Sequence, residues 1–403
     1  MISDRLYDAA FQYKKTKLWK DLWDTELFAV KMQDGETGYI SIMGMSGEYC
    51  ALGVYIGEEG YQSFRKIAGE RPETMTFFQQ HEFALSQNCC QMVLCQKDEL
   101  SEEELADVRR YAKANGIRLA GKNAYPQFVK HTPFRYPWKL QSRQDEEYVY
   151  QALMAAITLA DLLVDTAPFE LGIREVTAKT SRVPLMELVD GRYRFTGSAV
   201  LPKEKKKAYA APRSLNEIGI RSLKKFPKRG VWECEVILFP GPIQDTPQEA
   251  PYFSHALMTV ESRTQYILPP ELTADYETHP EDMVNHFIDM LIGQKMMPEM
   301  FLVRDERTCV LLQKLAEKLG VSIIIQKDLP ALDDAEESLL EHLDTSPEEE
   351  QEELLMMAEL LLQMDDEDVK NMPEEVLEPF RMLLNMGALP EELTKKLAKK
   401  LGI

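Results

Sequence analysis

Between Val231 and about Leu343 the chain alternates strand-length apolar runs with helix-length amphipathic segments, and that order restricts its fold more than any other feature. Val231 to Phe239 reads as a strand, and Phe253 to Val260 with Gln265 to Leu268 as a hairpin after it. Thr278-His279-Pro280-Glu281 reads as a helix start, with Pro in the first turn and Glu at the capping-box position. That helix runs to about Ile292 on the face Met283, Val284, Phe287, Ile288 and Leu291, and Gly293 stops it. Met300 to Val303 is a strand followed by Asp305, Thr308 to Leu319 a helix ended by Gly320, and Val321 to Ile325 a further strand. From Leu332 onward the period is helical. The order is β-β-β-α-β-α-β-α, which calls for an α/β (α+β) fold with mixed sheets.

The N-terminal part has a similar grammar. Ser3 to Tyr13 is a short helix, and strands follow at Leu27 to Met32, Tyr39 to Met43 and Ala51 to Ile56, with Asp34-Gly35 as the hairpin turn. Helices are expected at Glu58 to Ala68 and Pro72 to Ser86, then an apolar strand at Gln91 to Cys95. Ser101-Glu102-Glu103-Glu104 opens a helix that Gly116 ends, and Ile117 to Ala120 reads as a strand. Residues 121 to 143 resemble a connector rich in Pro and aromatics; Glu146 to Asp165 is a long apolar helix, and Val183 to Leu201 a hairpin about Asp190-Gly191. At 403 residues the chain exceeds one ordinary core. Four regions are expected: an α/β domain over 1–130, a connector with a long helix, hairpin and basic segment over 131–230, a β-β-β-α-β-α-β-α domain over 231–344, and an acidic helical tail over 345–403. A weak repeat links the two α/β domains: Met92 to Asp98 with a helix ending at Gly116 parallels Met300 to Asp305 with a helix ending at Gly320. Either a related N-terminal domain or recurrence of a common unit accounts for it.

Composition narrows the function classes. The chain is 44% hydrophobic and 28% charged, in the range of folded globular proteins. Met1-Ile2-Ser3-Asp4-Arg5 does not read as a signal peptide, and Ala152 to Val164 is too short for a membrane span, so a cytoplasmic protein is expected. Cys50, Cys89, Cys90, Cys95, Cys234 and Cys309 show no CxxC spacing, and His81, His131, His255, His279, His286 and His342 are scattered. Reduced, buried thiols are therefore expected rather than zinc or disulfides. Neither glycine-rich nucleotide loop, GxGxxG or GxxxxGK[ST], is present. Ser63-Phe64-Arg65-Lys66 fits SxxK, but the other elements of that enzyme class are missing. Trp19 and Trp23, four apart, suggest a core contact, and Leu354 to Met364 a Met-rich helix that packs in a small bundle or binds a partner.

Charge is unevenly placed. The net charge is −20, of which residues 333–403 carry −15 from 21 acidic and 6 basic residues. Residues 202–229 run the other way, with Lys203, Lys205, Lys206, Lys207, Lys224 and Lys225 among ten basic residues. Such a segment can meet phosphate, with Tyr209 stacking on a base, or dock the acidic tail; no nucleic-acid reading motif accompanies it. A protein partner or an intramolecular tail contact is the expectation, with no membrane.

Two stretches carry a family resemblance. Leu22-Trp23-Asp24-Thr25-Glu26-Leu27-Phe28-Ala29-Val30 with Asp34-Gly35-Glu36-Thr37-Gly38-Tyr39 resembles the N-terminal domain of an uncharacterised bacterial family. Pro298 to Thr308, with Lys318-Leu319-Gly320 and Leu329-Pro330-Ala331-Leu332, resembles its second domain, also of unknown function. The element order from Val231 is in turn similar to the ribonuclease-H-like fold of integrases and transposases. That resemblance implies acids at three places that hold two divalent ions and hydrolyse a phosphodiester. Asp305 matches the acid after the fourth strand; Glu233 and Glu235 stand where Asp is expected on the first, and the last helix offers Asp333, Asp334, Glu336 and Glu337. Glu is longer than Asp and would shift an ion of strict geometry. The expectation is a non-catalytic binding or scaffold protein on a degenerate core, with no cofactor. The alternative is a Mg²⁺- or Mn²⁺-dependent phosphodiesterase or nucleic-acid-processing enzyme using Asp305 with Glu235 or Glu233 and an acid such as Glu337.

Overall fold

The computed structural model describes residues 2–47, 49–69, 75–205 and 208–344, with Leu362, Lys396, Ala398 and Lys400 beyond them. Residues Leu354 to Met364 and the tail from 345 therefore lie outside the described residues, apart from those four. The elements in chain order are α1 (Asp4–Thr16), β1 (Phe28–Lys31), β2 (Thr37–Met43), β3 (Cys50–Ile56), α2 (Gly57–Ala68), α3 (Phe77–Ala84), β4 (Cys89–Cys95), α4 (Glu102–Ala114), β5 (Tyr125–His131), β6 (Trp138–Lys139), α5 (Arg143–Leu162), β7 (Arg182–Val189) and β8 (Arg192–Val200). They continue with α6 (Glu217–Leu223), β9 (Val231–Ile243), β10 (Tyr252–Glu261), β11 (Ile267–Leu268), α7 (Pro280–Gly293), β12 (Met300–Val303), α8 (Glu306–Leu319), β13 (Ser322–Ile325) and α9 (Pro330–Asp344). Two compact units result: residues 1–259 with 268–327, and residues 260–267 with 328–403.

In the first unit, period-two alternation buries both faces of an eight-stranded sheet ordered β6-β5-β4-β3-β2-β1-β7-β8. Phe28, Val30, Ile40, Ile42, Leu52, Val54, Met92 and Leu94 share a core with Leu6, Phe11, Val149, Leu153 and Leu159 of α1 and α5. Ala29, Tyr39 and Tyr55 turn to the other core, with Tyr61 and Phe64 of α2. Residues 131–230, read as a connector, thus supply β6, α5 and the β7–β8 hairpin to this layer, β7 running parallel to β1. The strand read at Ile117 to Ala120 is absent; β5 forms instead at Tyr125–His131, where Pro126 had argued for a connector. Pro126 takes the end of the β4–β5 ladder opposite Leu94.

Residues 231–344 form the expected element order β-β-β-α-β-α-β-α. The sheet is ordered β11-β10-β9-β12-β13, with β12 parallel to both β9 and β13. Trp232, Cys234 and Val236 of β9 and Phe301 and Val303 of β12 face α7 and α8, burying Val284, Phe287, Ile288, Leu311, Leu312 and Leu315. Gly320 ends α8 at φ 67, where its own N–H and that of Val321 reach Glu317 and Ala316 carbonyls. The start of α7 differs from the capping-box reading: His279 is the cap residue, with no side-chain cap bond, while Pro280 occupies the first turn as expected. The parallel between the two strand-helix-Gly units stops at pairing, because β4 is antiparallel to both its neighbours, β3 and β5.

In the second unit the Glu261 carboxylate accepts from the N–H and hydroxyl of Thr264 at 2.7 and 2.6 Å. The Gln265 amide donates to Asp334 of α9 at 2.9 Å. No helix among the described residues is long and apolar enough to cross a membrane.

Candidate functional site

The Arg304-Asp305-Glu306-Arg307 junction is where β12 gives way to α8. Asp305 is extended and caps the helix, its Oδ1 accepting from the Thr308 N–H at 2.8 Å. The Thr308 hydroxyl in turn accepts from the Val236 N–H at 3.0 Å, which ties α8 to β9. Asp305 therefore spends one oxygen on its own helix, and its second lies 3.7 Å from Arg307 Nε.

Glu233 and Glu235 do share one face of β9, as their spacing requires, and it is the face opposite Trp232 and Cys234. Helix α3 of the N-terminal segment packs against β9. From it Gln79 donates to Glu235 Oε1 at 3.1 Å. Arg304 forms an ion pair with Glu235 through Nε and donates Nη1 to the Lys327 carbonyl at 2.9 Å. Arg307 donates Nη1 to Glu82 of α3 at 2.7 Å and Nη2 to the Val236 carbonyl. The result is a buried array in which two guanidinium groups stand among three carboxylates; Arg307 is 6% and Glu235 1% exposed.

Burial sets the electrostatics. It raises the Glu235 pKa by more than Arg304 and Gln79 lower it. Burial pulls the Arg307 pKa down, yet Glu82 and Asp305 together raise it above the ordinary arginine range. Two phenols flank the array: burial raises the pKa of Tyr276 and of the half-buried Tyr209, and Asp305 and Arg307 act on both in opposite directions.

The remaining candidates are dispersed. Glu233 is buried, Glu337 is exposed on α9 in the second unit, and of its neighbours Asp333 and Asp334 are exposed and Glu336 buried. Among the described residues no group of three or more His, Cys, Asp or Glu is placed to hold a metal ion. The basic run is held at two separate elements. The Lys203 carbonyl accepts from Gln62 of α2 at 2.6 Å and Lys205 pairs with Glu58 at 2.9 Å. Farther on, Lys314 of α8 donates to the Pro212 and Arg213 carbonyls, and Lys228 to that of Gly320. Lys224 and Lys225 are exposed at the end of α6; Lys206 and Lys207 lie outside the described residues.

Two further motifs resolve as structure. The Ser63 hydroxyl accepts from the Asn88 N–H at 2.7 Å inside the fold. The Trp19–Trp23 contact does not form: the helical turn there ends at Lys20, leaving Trp19 against Tyr13 and Trp23 56% exposed.

Sequence reasoning missed Gln79, Glu82, Arg304 and Arg307. Arg304 and Arg307 bracket Asp305 and are a readable signal; Gln79 and Glu82 lie more than 150 residues away on an ordinary amphipathic turn, with none.

Residues 4–174 match the model of a domain of unknown function, DUF7309, and residues 219–340 that of a second, DUF6930. The chain pairs these two domains. No curated protein and no solved structure matches it.

Proposed function

We propose that residues 231–343 are a ribonuclease-H-like core that has given up two-metal catalysis and serves as a non-catalytic binding or scaffold module, joined to the N-terminal domain through α3. One observation carries the reading: the carboxylates that the resemblance would assign to divalent ions are engaged by guanidinium groups, Arg304 on Glu235 and Arg307 beside Asp305 and Glu82. A cation held by Asp305 and Glu235 would have to displace Arg304 and meet the repulsion of Arg307. The parallel insertion of β12 between β9 and β13 supports the fold assignment. We place the protein in a reducing, cytoplasmic setting, a reading that its five buried cysteine thiols accommodate. Its partner is a protein or its own acidic tail rather than nucleic acid.

Thermal unfolding with Mg²⁺ or Mn²⁺ tests this. Saturating a site a hundredfold above its dissociation constant adds about 2.7 kcal/mol. No shift at millimolar metal is expected. A clear shift that disappears in Asp305→Asn would instead support the phosphodiesterase reading.

A further inference from the structure

A cleft of about 490 Å³ opens within the first unit, lined by none of the residues of the arginine array. The loop Pro133-Phe134-Arg135 between β5 and β6 forms one side, β10 the floor, and residues 274–278 the other side, with Asp245 at the rim. Its shape is fixed by main-chain bonds between the two matched segments: Phe253 N–H to the Phe134 carbonyl at 2.8 Å and Tyr136 N–H to the Pro251 carbonyl at 2.9 Å. The volume is in the range of small-ligand sites.

The lining has two chemical parts. Phe134, Tyr252, Phe253 and His255 form an aromatic wall, His255 being only 3% exposed with its ring edge-on to Phe134 at 5.0 Å. Around the mouth stand Asp245, Asp275 and Glu277, all exposed; the Asp275 carbonyl accepts from the Thr278 and His279 N–H groups, while the carboxylates of the three make no hydrogen bond or ion pair within the described residues. The single positive charge, Arg135, is already engaged: its guanidinium lies 5.4 Å from the Tyr252 ring centroid and donates to the Ala250 carbonyl at 3.1 Å. The site thus offers negative charge at its mouth and aromatic side chains along its wall. Carboxylates attract ammonium groups, ring faces accept both a cation and a methylene stem, and an anion is repelled.

We propose that this cleft binds an aliphatic polyamine, its ammonium groups on Asp245, Asp275 and Glu277 and its methylene stem along Phe134 and Tyr252. An organic cation fits better than a metal ion, because no metal-holding group occurs among the described residues. The inference is independent of the reading of the arginine array, and so is its failure.

Isothermal titration of the full chain with spermidine at physiological salt is the test. One saturable site is expected, with no heat from glutarate, a dianion. Asp275→Asn with Glu277→Gln should weaken binding about tenfold, or about 1.4 kcal/mol. Glu59→Gln with Glu102→Gln removes the same charge from exposed positions on α2 and α4, and should leave the affinity unchanged. Absence of a saturable site, or equal weakening by both double variants, overturns the proposal; the second outcome would mean diffuse attraction to an acidic protein.

Discussion

Replacing Glu82 by alanine removes one partner from a buried ion pair and leaves Arg307 charged inside the fold. Glu82 and Arg307 are 9% and 6% exposed, so solvent compensates neither. Losing one partner of such a pair costs about 3–5 kcal/mol. Arg307 keeps its bond to the Val236 carbonyl and its proximity to Asp305, which places Glu82→Ala at the low end, about 3 kcal/mol. Arg307→Met should cost more, about 4 kcal/mol, because it also deprives the Val236 carbonyl of a donor and takes the guanidinium from the buried Glu82 carboxylate. Both act through one contact, so the double variant should fall short of the sum by about 1.5 kcal/mol or more. Urea denaturation followed by circular dichroism measures all four corners of the cycle. A single-variant cost under about 1 kcal/mol, or additivity within about 0.5 kcal/mol, would refute the reading of Glu82 and Arg307 as a coupled, buried ion pair between α3 and α8.

Other outcomes follow from the same geometry. Asp305→Ala should cost about 1 kcal/mol through loss of the Thr308 cap, and Asp305→Ser should restore most of it, since a cap needs only an oxygen; failure of serine to rescue would point to a role beyond capping. Burial raises the Glu235 pKa above its ordinary 4.5, so its contribution to stability is present below pH 4.5 and is lost as pH rises through the folded value. Glu235→Gln should therefore compare more favourably with wild type at pH 8 than at pH 5 in thermal unfolding; the opposite trend would show that Arg304 dominates. A thiol reagent at pH 8 should label Cys309 first: the other five cysteines are buried, and burial pushes Cys89 and Cys95 up to about 12. Deleting residues 345–403 removes a net charge of −9 and should increase DNA or RNA binding at low salt if the tail shields the basic segment; equal, negligible binding by both forms in a filter assay would contradict it.

The helices and strands of residues 231–344 were legible because their signals are local. The apolar alternation of Trp232, Cys234 and Val236 with Glu233 and Glu235, the Pro280 start and the Gly320 stop each act within a few residues. The capping box at Ser101 and Glu104 formed as its sequence implied. Long-range pairing was not legible. Nothing near Arg182 announces that β7 will run beside β1, and Pro126 disguised β5 as a connector. The candidate site was half legible for the same reason. Asp305 and Glu235 stand on the elements expected of them, but their electrostatic state depends on Arg304, Arg307 and a helix some 150 residues upstream.

The central claim is that guanidinium groups engage the carboxylates that the resemblance would assign to divalent ions. Its most direct test is a crystal grown in millimolar Mn²⁺, with anomalous scattering recorded near the manganese edge. The account predicts no peak between Asp305 and Glu235, with Arg304 still on Glu235 and Arg307 still on Glu82. A manganese peak coordinated by both carboxylates, with Arg304 turned away, would contradict it.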